Sequence, residues 1–245
     1  MSESDRLTKL GSWRIVTLGL VALAATGCKV AADGQNLQGA RLYQSGNYDT
    51  AMQNFQKAVA TDPTNADGYY NMACTMHRMG SAKNDQNTLN QAETLYNQCL
   101  DVDPNHADCY RALAVLLVET GRSDKAFNLL KNWALRSPQV ADARVELARL
   151  YEEFGDPEAA KTYLTEAVGL DQYNARAWNA LGRLREQTGE YSQALANYQR
   201  SYNLNRFQPE IQERMAALNR TIATQGGTTQ AGDTRTVNVG VPANR

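Results

Sequence analysis

The side chains of this chain that most often do chemistry lie close together in its sequence. His77 lies three residues after Cys74, which would place both side chains on one face of a helix, and His106 lies between Cys99 and Cys109. These spacings match no standard zinc site. Buried cysteines commonly pack as small apolar side chains. We therefore predict no metal site.

Catalytic motifs are not recognisable in this chain. Neither histidine lies near a serine or cysteine in a nucleophile motif such as G-x-S-x-G. The glycines are isolated rather than clustered before a helix, so no phosphate-binding loop is predicted. No acid, base and nucleophile are visible together. We predict no catalytic residues and no cofactor, and we retain an enzyme with an unrecognised site as the last alternative.

The charge balance argues against nucleic acid as a partner. The chain has 245 residues, 42% of them hydrophobic, and a net charge of −1. Basic and acidic residues are interspersed, and no run of lysine or arginine provides the positive surface that phosphate backbones need. A chain of this length and composition can form a sizeable core.

Glycines and alanines at regular intervals indicate the repeated helices that position these residues. Glycines and alanines recur every 34 residues, with one step lengthened to 41. The glycines are Gly46, Gly80, Gly121, Gly155 and Gly189, and the alanines are Ala51, Ala92, Ala126, Ala160 and Ala194. A fixed period of this length is the signature of a repeat protein.

Each period encodes two helices. Tyr110, Leu113 and Leu117 recur at helical spacing until Gly121, and a second apolar stripe then runs to Pro138. Glycine tolerates the left-handed conformation that ends the first helix, and proline ends the second. The recurring alanine of the second helix marks its close approach to the first.

These residues resemble the tetratricopeptide repeat (TPR) family. The motif reads Gly39, Gly46, Ala51, Phe55, Ala58 and Pro63 in the first period, and Trp178, Leu181, Gly182, Gly189, Ala194 and Tyr198 in the last. The resemblance implies an all-α solenoid of five hairpins, at 32–65, 66–106, 107–140, 141–174 and 175–208, with a solvating cap helix at 209–223. Trp133, Gln172 and Arg185 depart from the usual residue types.

The seven extra residues of the second repeat lie between Gly80 and Ala92. One interpretation is a longer second helix whose N-cap is Asn84 or Asp85, because seven residues make about two helical turns. The alternative is an enlarged loop.

The N-terminus differs from the repeats. Residues 15–27 are apolar but too few to span a bilayer, which is typical of an export signal. Residues 23–28, LAATGC, resemble a bacterial lipobox, although Ala25 stands where leucine is usual. The resemblance implies a signal peptide at 1–27, lipidation (palmitate among the acyl chains) at Cys28, a linker at 28–31 and a periplasm-facing membrane anchor. Lys29 favours the outer membrane. The alternative is secretion after cleavage near Ala31 or Ala32.

The C-terminal segment, residues 224–245, loses the helical periodicity and is rich in glycine, threonine and asparagine. We predict that it is disordered, because it cannot bury enough apolar area to offset ordering. Within it, TRTVNVGV alternates well enough to pair with a partner as an edge strand, but a tail without a partner is the favoured interpretation.

Surface residues carry the functional prediction. In the TPR family the first helices of the repeats line a concave groove, and the resemblance places these residues there: Tyr43, Tyr70, Arg78, Arg111, Val115, Glu119, Arg149, Glu152, Asn179, Arg183 and Glu186. The implied partner is a protein or peptide, bound by a scaffold of the bacterial envelope. A type IV pilus pilotin is the narrower alternative, because LNRFQP at 204–209 resembles that family. Solvated helix faces with internal ion pairs are the plainer interpretation.

A disulfide is the remaining possibility for the cysteines. If the chain is exported, its compartment favours disulfides. Cys99 at the end of one repeat and Cys109 in the first turn of the next are the predicted pair, and free buried thiols are the alternative.

Overall fold

The computed structural model describes residues 27–230, with side chains described up to residue 225. These residues form eleven helices and no strand. Helix α1 spans residues 27–44. The others are α2 (Tyr48–Thr61), α3 (Ala66–Lys83), α4 (Gln86–Val102), α5 (Ala107–Glu119), α6 (Ser123–Arg136), α7 (Ala141–Glu153), α8 (Pro157–Leu170), α9 (Ala175–Gln187), α10 (Tyr191–Leu204) and α11 (Pro209–Gln230).

Both ends of the helical region extend further than the sequence suggests. Residues 28–31, expected to be a linker, belong to α1, whose Ala32 is fully buried. Residues 224–230, expected to be disordered, continue α11, because a formed helix propagates past the end of its apolar stripe. Residues 1–26 of the predicted signal peptide and the tail at 231–245 lie outside the described residues.

The chain divides into two compact units, one ending at Trp133 and one beginning at Ala134. In the first unit, α1 packs on α2, α3 on α4, and α5 on α6. A Cβ atom at Gly39 would lie 2.5 Å from the Phe55 ring, which fixes glycine at that crossing. Ala51, Ala92 and Ala126 are fully buried, as close approach between paired helices requires.

Trp133 is the large residue that departs from the repeat pattern in the first unit. Its ring is fully buried and stacks on Tyr110, with ring centroids 4.1 Å apart and planes 6° from parallel. Its Nε1–H donates to Oδ1 of Asn105 over 3.0 Å. The indole thus satisfies its one polar atom and fills space that a small residue would leave open.

The second unit pairs α7 with α8 and α9 with α10, and α11 packs on α10. Ile211 and Leu218 of α11 bury themselves against Ala194 and Tyr198, so α11 covers the last hairpin as a cap helix should. The Tyr198 ring crosses Gly182, where a Cβ atom would lie 2.8 Å from it.

Arg185, which occupies a usually apolar slot, is half-buried in the second unit. Its Nη1 donates to Oδ1 of Asn197 over 3.3 Å, and its Nε lies 3.9 Å from a Glu190 carboxylate oxygen. The polar side chain is therefore accommodated by polar neighbours on α10 and at its N-terminus.

Turns between paired helices follow the predicted glycine rule at four of five positions. Gly46, Gly121, Gly155 and Gly189 have φ between 74° and 81°. Gly80 is the exception, because it lies inside α3 rather than at its end. Its missing side chain instead makes room for Leu89, whose Cδ2 would lie 3.0 Å from a Cβ atom.

The seven extra residues of the second repeat form helix rather than loop. Helix α3 has 18 residues where α5, α7 and α9 have 13, and α4 has 17 where α6 has 14. Asn84, with φ of 51°, ends α3 in the left-handed conformation, and Asp85 caps α4 by accepting from Asn87 N. The insertion thus lengthens both helices, whereas the two interpretations of the sequence were a longer α4 alone or an enlarged loop.

A ladder of hydrogen bonds joins the first helices of successive repeats within each unit. The N-cap residues of α3 and α9, Asn65 and Asn174, donate to Asp33 and Asp142 of the preceding first helix over 3.3 and 3.2 Å. His106 takes this place at α5 and contacts Asp67 over 3.0 Å. Each rung fixes where the next hairpin begins.

Candidate functional site

Six of the predicted groove residues surround one cavity in the first unit, Val115 and Glu119 among them. Tyr43 comes from α1, Tyr70 and Arg78 from α3, and Arg111 from α5. The cavity has a volume of about 290 Å³. Its lining is Tyr43, Tyr70, Cys74, His77, Arg78, Ser81, Tyr96, Asp108, Arg111, Ala112, Val115 and Glu119.

Helical spacing explains why these side chains share one surface. On α3, the lining residues Tyr70, Cys74, His77 and Ser81 are separated by steps of three or four, and α5 contributes a similar series. Helices α3 and α5 lie side by side because the second hairpin stacks on the third. Tyr96 reaches the cavity from α4 and is not among the groove residues predicted from sequence.

Aromatic rings form the walls of the cavity. The Tyr70 ring lies 5.1 Å from the His106 ring and 6.4 Å from that of Tyr96, and Tyr43 meets Tyr48 edge-on at 5.3 Å. Burial raises the pKa of Tyr43, of Tyr70 and of Tyr96, so all three remain neutral phenols. Tyr96 is fully buried, whereas the half-buried Tyr43 and Tyr70 offer apolar area and a hydroxyl to a ligand.

A chain of polar side chains supports the floor of the cavity. The Tyr96 hydroxyl lies 3.5 Å from Sγ of Cys74 and 3.2 Å from Nδ1 of His77, and Nε2 of His77 lies 2.9 Å from a Glu119 carboxylate oxygen. The Tyr96 O–H donates to Cys74 Sγ, and the His77 ring lies between the Tyr96 hydroxyl and the Glu119 carboxylate. These contacts hold the rings in place without requiring a ligand.

The Cys74 thiol lies at this floor but is not activated. Burial raises its pKa, so it stays protonated and is a poor nucleophile. The cavity therefore offers shape, aromatic surface and charge, which suit binding rather than bond-breaking chemistry.

Charges at the rim are partly compensated. Nη1 of Arg111 donates to Oδ1 of Asp108 over 2.9 Å, and Glu119 is engaged by His77. Arg78 is exposed, and within residues 27–230 no carboxylate lies within ion-pair distance of it. The rim thus carries one uncompensated guanidinium among compensated charges.

His106 positions the cavity wall from the start of α5. Its Nδ1 accepts from the backbone N–H of Cys109 over 3.1 Å and so caps the helix. The hydrogen bond to Asp67 raises the pKa of His106 and lowers the pKa of Asp67. The helix cap opposes this rise in the pKa of His106. Nδ1 must stay unprotonated to accept from the Cys109 N–H.

The second unit holds the other predicted arginines in a different setting. Arg149 and Arg183 line a shallow pocket of about 330 Å³ with Glu152, Glu153 and Gln187. Arg183 pairs with Glu152 over 2.9 Å, and Arg149 with Glu153 over 3.2 Å. Asn179 lies half-buried on α9 and is not part of this pocket lining.

Glu146 organises these arginines and was missed from sequence. Its carboxylate is 1% exposed and lies 3.3 Å from Arg149 and 3.2 Å from Arg176. Glu186, predicted in the groove, accepts from Tyr198 Oη over 2.7 Å and from Arg214 over 2.9 Å. In this unit, internal ion pairs hold the arginines, as the plainer interpretation of the sequence allowed.

The cysteines are free thiols in the structure. Cys99 and Cys109 are both buried, and Sγ of Cys109 donates to the carbonyl oxygen of Tyr96 over 3.2 Å instead of forming the predicted disulfide. Hydrogen bonding to Cys99 and burial raise the pKa of Cys109. Cys28 is exposed on α1. Among residues 27–230, no three His, Cys, Asp or Glu side chains form a group able to hold a metal ion.

Across residues 27–230, no helix combines the length and the apolar character that a bilayer crossing needs.

Comparison with protein families agrees with the hairpin geometry. Models of the TPR repeat and of tetratricopeptide repeats match residues 39–80, 84–139 and 145–209. The chain is a TPR protein. Its fold is an all-α solenoid of TPR hairpins. Proteins of this family are in general non-catalytic scaffolds that bind protein or peptide partners.

Solved structures share this fold at low sequence identity. A thermophilic TPR protein of Thermus thermophilus is 22% identical, with a TM-score of 0.57 over 77% of this chain and 98% of that one. Yeast Tom70 is 20% identical, with a TM-score of 0.62 over 79% of this chain and 40% of its own. The pilF protein of Pseudomonas aeruginosa is 20% identical, with a TM-score of 0.50 over 81% and 93%. These likenesses establish the fold alone.

Two curated human relatives match this TPR protein over part of their length. Protein O-mannosyl-transferase TMTC1 is 28% identical over 187 residues, and TMTC3 is 25% identical over 179, covering 74% and 69% of this chain. The chain spans about a fifth of either relative's length, 20% in both cases.

Proposed function

We propose that this TPR protein is a lipid-anchored scaffold of the bacterial envelope that binds an extended segment of a partner protein through its first unit. The observation that carries the proposal is the cavity that α1, α3 and α5 line together, with exposed Arg78 beside half-buried Tyr43 and Tyr70. Tyrosine and arginine are the residue types most often found as interface anchors.

The first unit is proposed as the binding surface because its cavity is open and its charges are not all engaged. In the second unit, Arg149 and Arg183 are paired with carboxylates of the same surface, and a partner would have to break those pairs. The cavity of the first unit offers aromatic area without that cost. We therefore assign the second unit a supporting role.

A crosslinking pulldown from detergent-solubilised membranes tests this assignment. We expect Arg78→Glu combined with Arg111→Glu to lose the partners that the native chain captures. The matched control, Arg183→Glu with Arg206→Glu, changes the same number of charges at exposed positions of the second unit and should keep them. Retention of every partner by the first pair would show that the cavity is not the binding surface.

The anchor is proposed from residues 1–28. The apolar stretch ends in LAATGC, and Cys28 would become the lipid-bearing residue. Acyl chains contribute about 0.8 kcal/mol per buried methylene, so several chains would hold the protein at a membrane stably. We expect Cys28→Ser to move the protein from the membrane fraction to the soluble fraction. An unchanged membrane fraction would count against lipidation, and separation of inner from outer membranes would test the proposed outer-membrane location.

A role as a type IV pilus pilotin is the narrower candidate, favoured by the lipobox together with the repeat pattern of residues 204–209. Deletion of the gene should then abolish pilus assembly. Normal pili in the deletion strain would remove this candidate and leave the broader scaffold proposal in place.

A further inference from the structure

The lengthened α3 lines a second cleft in the first unit, which shares Arg78 with the tyrosine-walled cavity. It lies against the turn between α1 and α2 and has a volume of about 440 Å³. Its lining residues are Gly46, Asn47, Tyr48, Asp49, Arg78, Met79, Ala82 and Lys83.

The insertion explains this cleft. The five residues that α3 has beyond its counterparts carry it past the turn at Gly46, which faces it across the cleft. Arg78 and Ala82 are four residues apart, as are Met79 and Lys83, so both pairs lie on neighbouring strips of one helix face. Met79 and Ala82 therefore provide an apolar surface flanked by two cations.

The charge of the cleft is positive. Arg78 and Lys83 are both exposed, and in the part of the chain that the structure describes neither lies within ion-pair distance of a carboxylate. Asp49, in the first turn of α2, is the single acidic side chain among the described residues of the lining. Two cations against one carboxylate leave an excess that attracts an anion.

Arg78 belongs to both cavities, since it lines the tyrosine-walled cavity as well as the cleft. A single extended segment passing over Arg78 would contact both. The two sites are therefore adjacent parts of one surface, the first aromatic and the second cationic.

We propose that this cleft binds the carboxylate of an aspartate or glutamate in the same partner segment whose neighbouring residue enters the tyrosine-walled cavity. The inference rests on the proposed function and specifies its ligand. Charge complementarity selects an acidic peptide, because Arg78 and Lys83 supply donors that no described carboxylate of the chain uses.

Selection from a phage-displayed library of random 12-residue peptides tests the proposal on the full chain in detergent. We expect the selected peptides to be enriched in aspartate or glutamate at one or two fixed positions. A selected peptide should bind Arg78→Gln/Lys83→Gln about tenfold more weakly in fluorescence anisotropy, since two exposed charge pairs are lost.

Two further variants make the test specific. Asp49→Asn removes the opposing carboxylate of the cleft and should tighten binding about twofold. Lys57→Gln removes an exposed lysine of α2 that does not line the cleft, and should leave binding unchanged. Raising the salt concentration should weaken peptide binding by the native chain more than peptide binding by Arg78→Gln/Lys83→Gln.

The outcomes separate this inference from the function on which it rests. Peptides selected without acidic enrichment, or bound equally by native chain and double variant, overturn the acidic ligand while the binding function stands. No selected peptide at all contradicts the proposed function itself. Self-association of the chain that the double variant abolishes would assign the cleft to a second copy and also overturn the peptide proposal.

Discussion

The two units both place arginines on the first helices of their repeats, yet surround them differently. In the first unit Arg78 lies at the edge of a tyrosine-walled cavity without a carboxylate partner among the described residues. In the second, Arg149 lies 3.3 Å from the buried Glu146 and 3.2 Å from Glu153. An arginine is available to a ligand only where no carboxylate one helical turn or one repeat away has already engaged it.

The largest expected difference between the units is the loss of stability when a carboxylate that pairs with a basic side chain is removed. Glu146→Ala should lower the free energy of unfolding by about 3 kcal/mol. The buried Glu146 carboxylate pairs with both Arg149 and Arg176, and its removal leaves two half-buried guanidinium groups without that shared partner. Glu119→Ala in the first unit should cost under about 1 kcal/mol, because its side chain is 51% exposed. Urea unfolding of both variants measures the difference, and equal losses would contradict the contrast between the units.

The next test concerns what the units share. Ala126→Phe and Ala160→Phe each insert a ring where paired helices touch, at fully buried positions of the first and second unit. Each substitution should lower the free energy of unfolding by about 2 kcal/mol, because neither helix crossing has room for the added atoms. Thermal unfolding that is unchanged in either variant would show that the hairpin register is wrong in that unit.

Binding should divide the units more sharply than stability does. Tyr70→Ala should weaken capture of a selected peptide about tenfold, since it removes a wall of the cavity. Tyr163→Ala, which removes a ring stacked on Tyr151 at 5.4 Å in the second unit, should leave binding unchanged although it removes a comparable aromatic group. Fluorescence anisotropy with both variants measures this, and an equal loss would place ligand contacts in the second unit as well.

The smallest expected effect is common to both units and depends on pH. Hydrogen bonds lower the pKa of Asp67, through His106, and the pKa of Glu190, through Lys161. Each stabilising contribution is present above the carboxyl group's unfolded pKa and is lost as pH falls through its lowered folded value. The native chain should therefore have a larger free energy of unfolding than Asp67→Asn or Glu190→Gln at neutral pH. That difference should disappear between about pH 5 and pH 3. Urea unfolding across that range measures it, and a pH-independent difference would contradict both ion pairs.

The repeat framework was predictable because its signals are local. Gly121, Gly155 and Gly189 end their helices through a backbone conformation that glycine favours, and that requirement is visible in sequence. Gly80 was misassigned because the insertion carries α3 past it, after which Asn84 takes the left-handed position. Whether a glycine ends a helix or lies within it depends on its packing partner, here Leu89, which the spacing alone does not reveal.

The site was predictable only in outline. The repeat register placed Tyr70 and Arg111 on the right surface, and His77 with Cys74 was noted for a shared helix face, although not as part of a cavity. Tyr96 was missed because it also satisfies the apolar pattern of α4. Glu146 was missed because a buried glutamate looks like any solvated one in sequence until its two arginine partners are located.

The stacked indole of Trp133 gives the first unit its own optical reporter. Its fully buried ring should emit at short wavelength, and the emission should shift to the red only when this unit opens. Trp178, half-buried on α9 and bonded to the Gln172 carbonyl over 2.9 Å, plays the same part for the second unit. With Trp13 and one of the other two tryptophans replaced, each single-tryptophan chain would report the melting of one half alone.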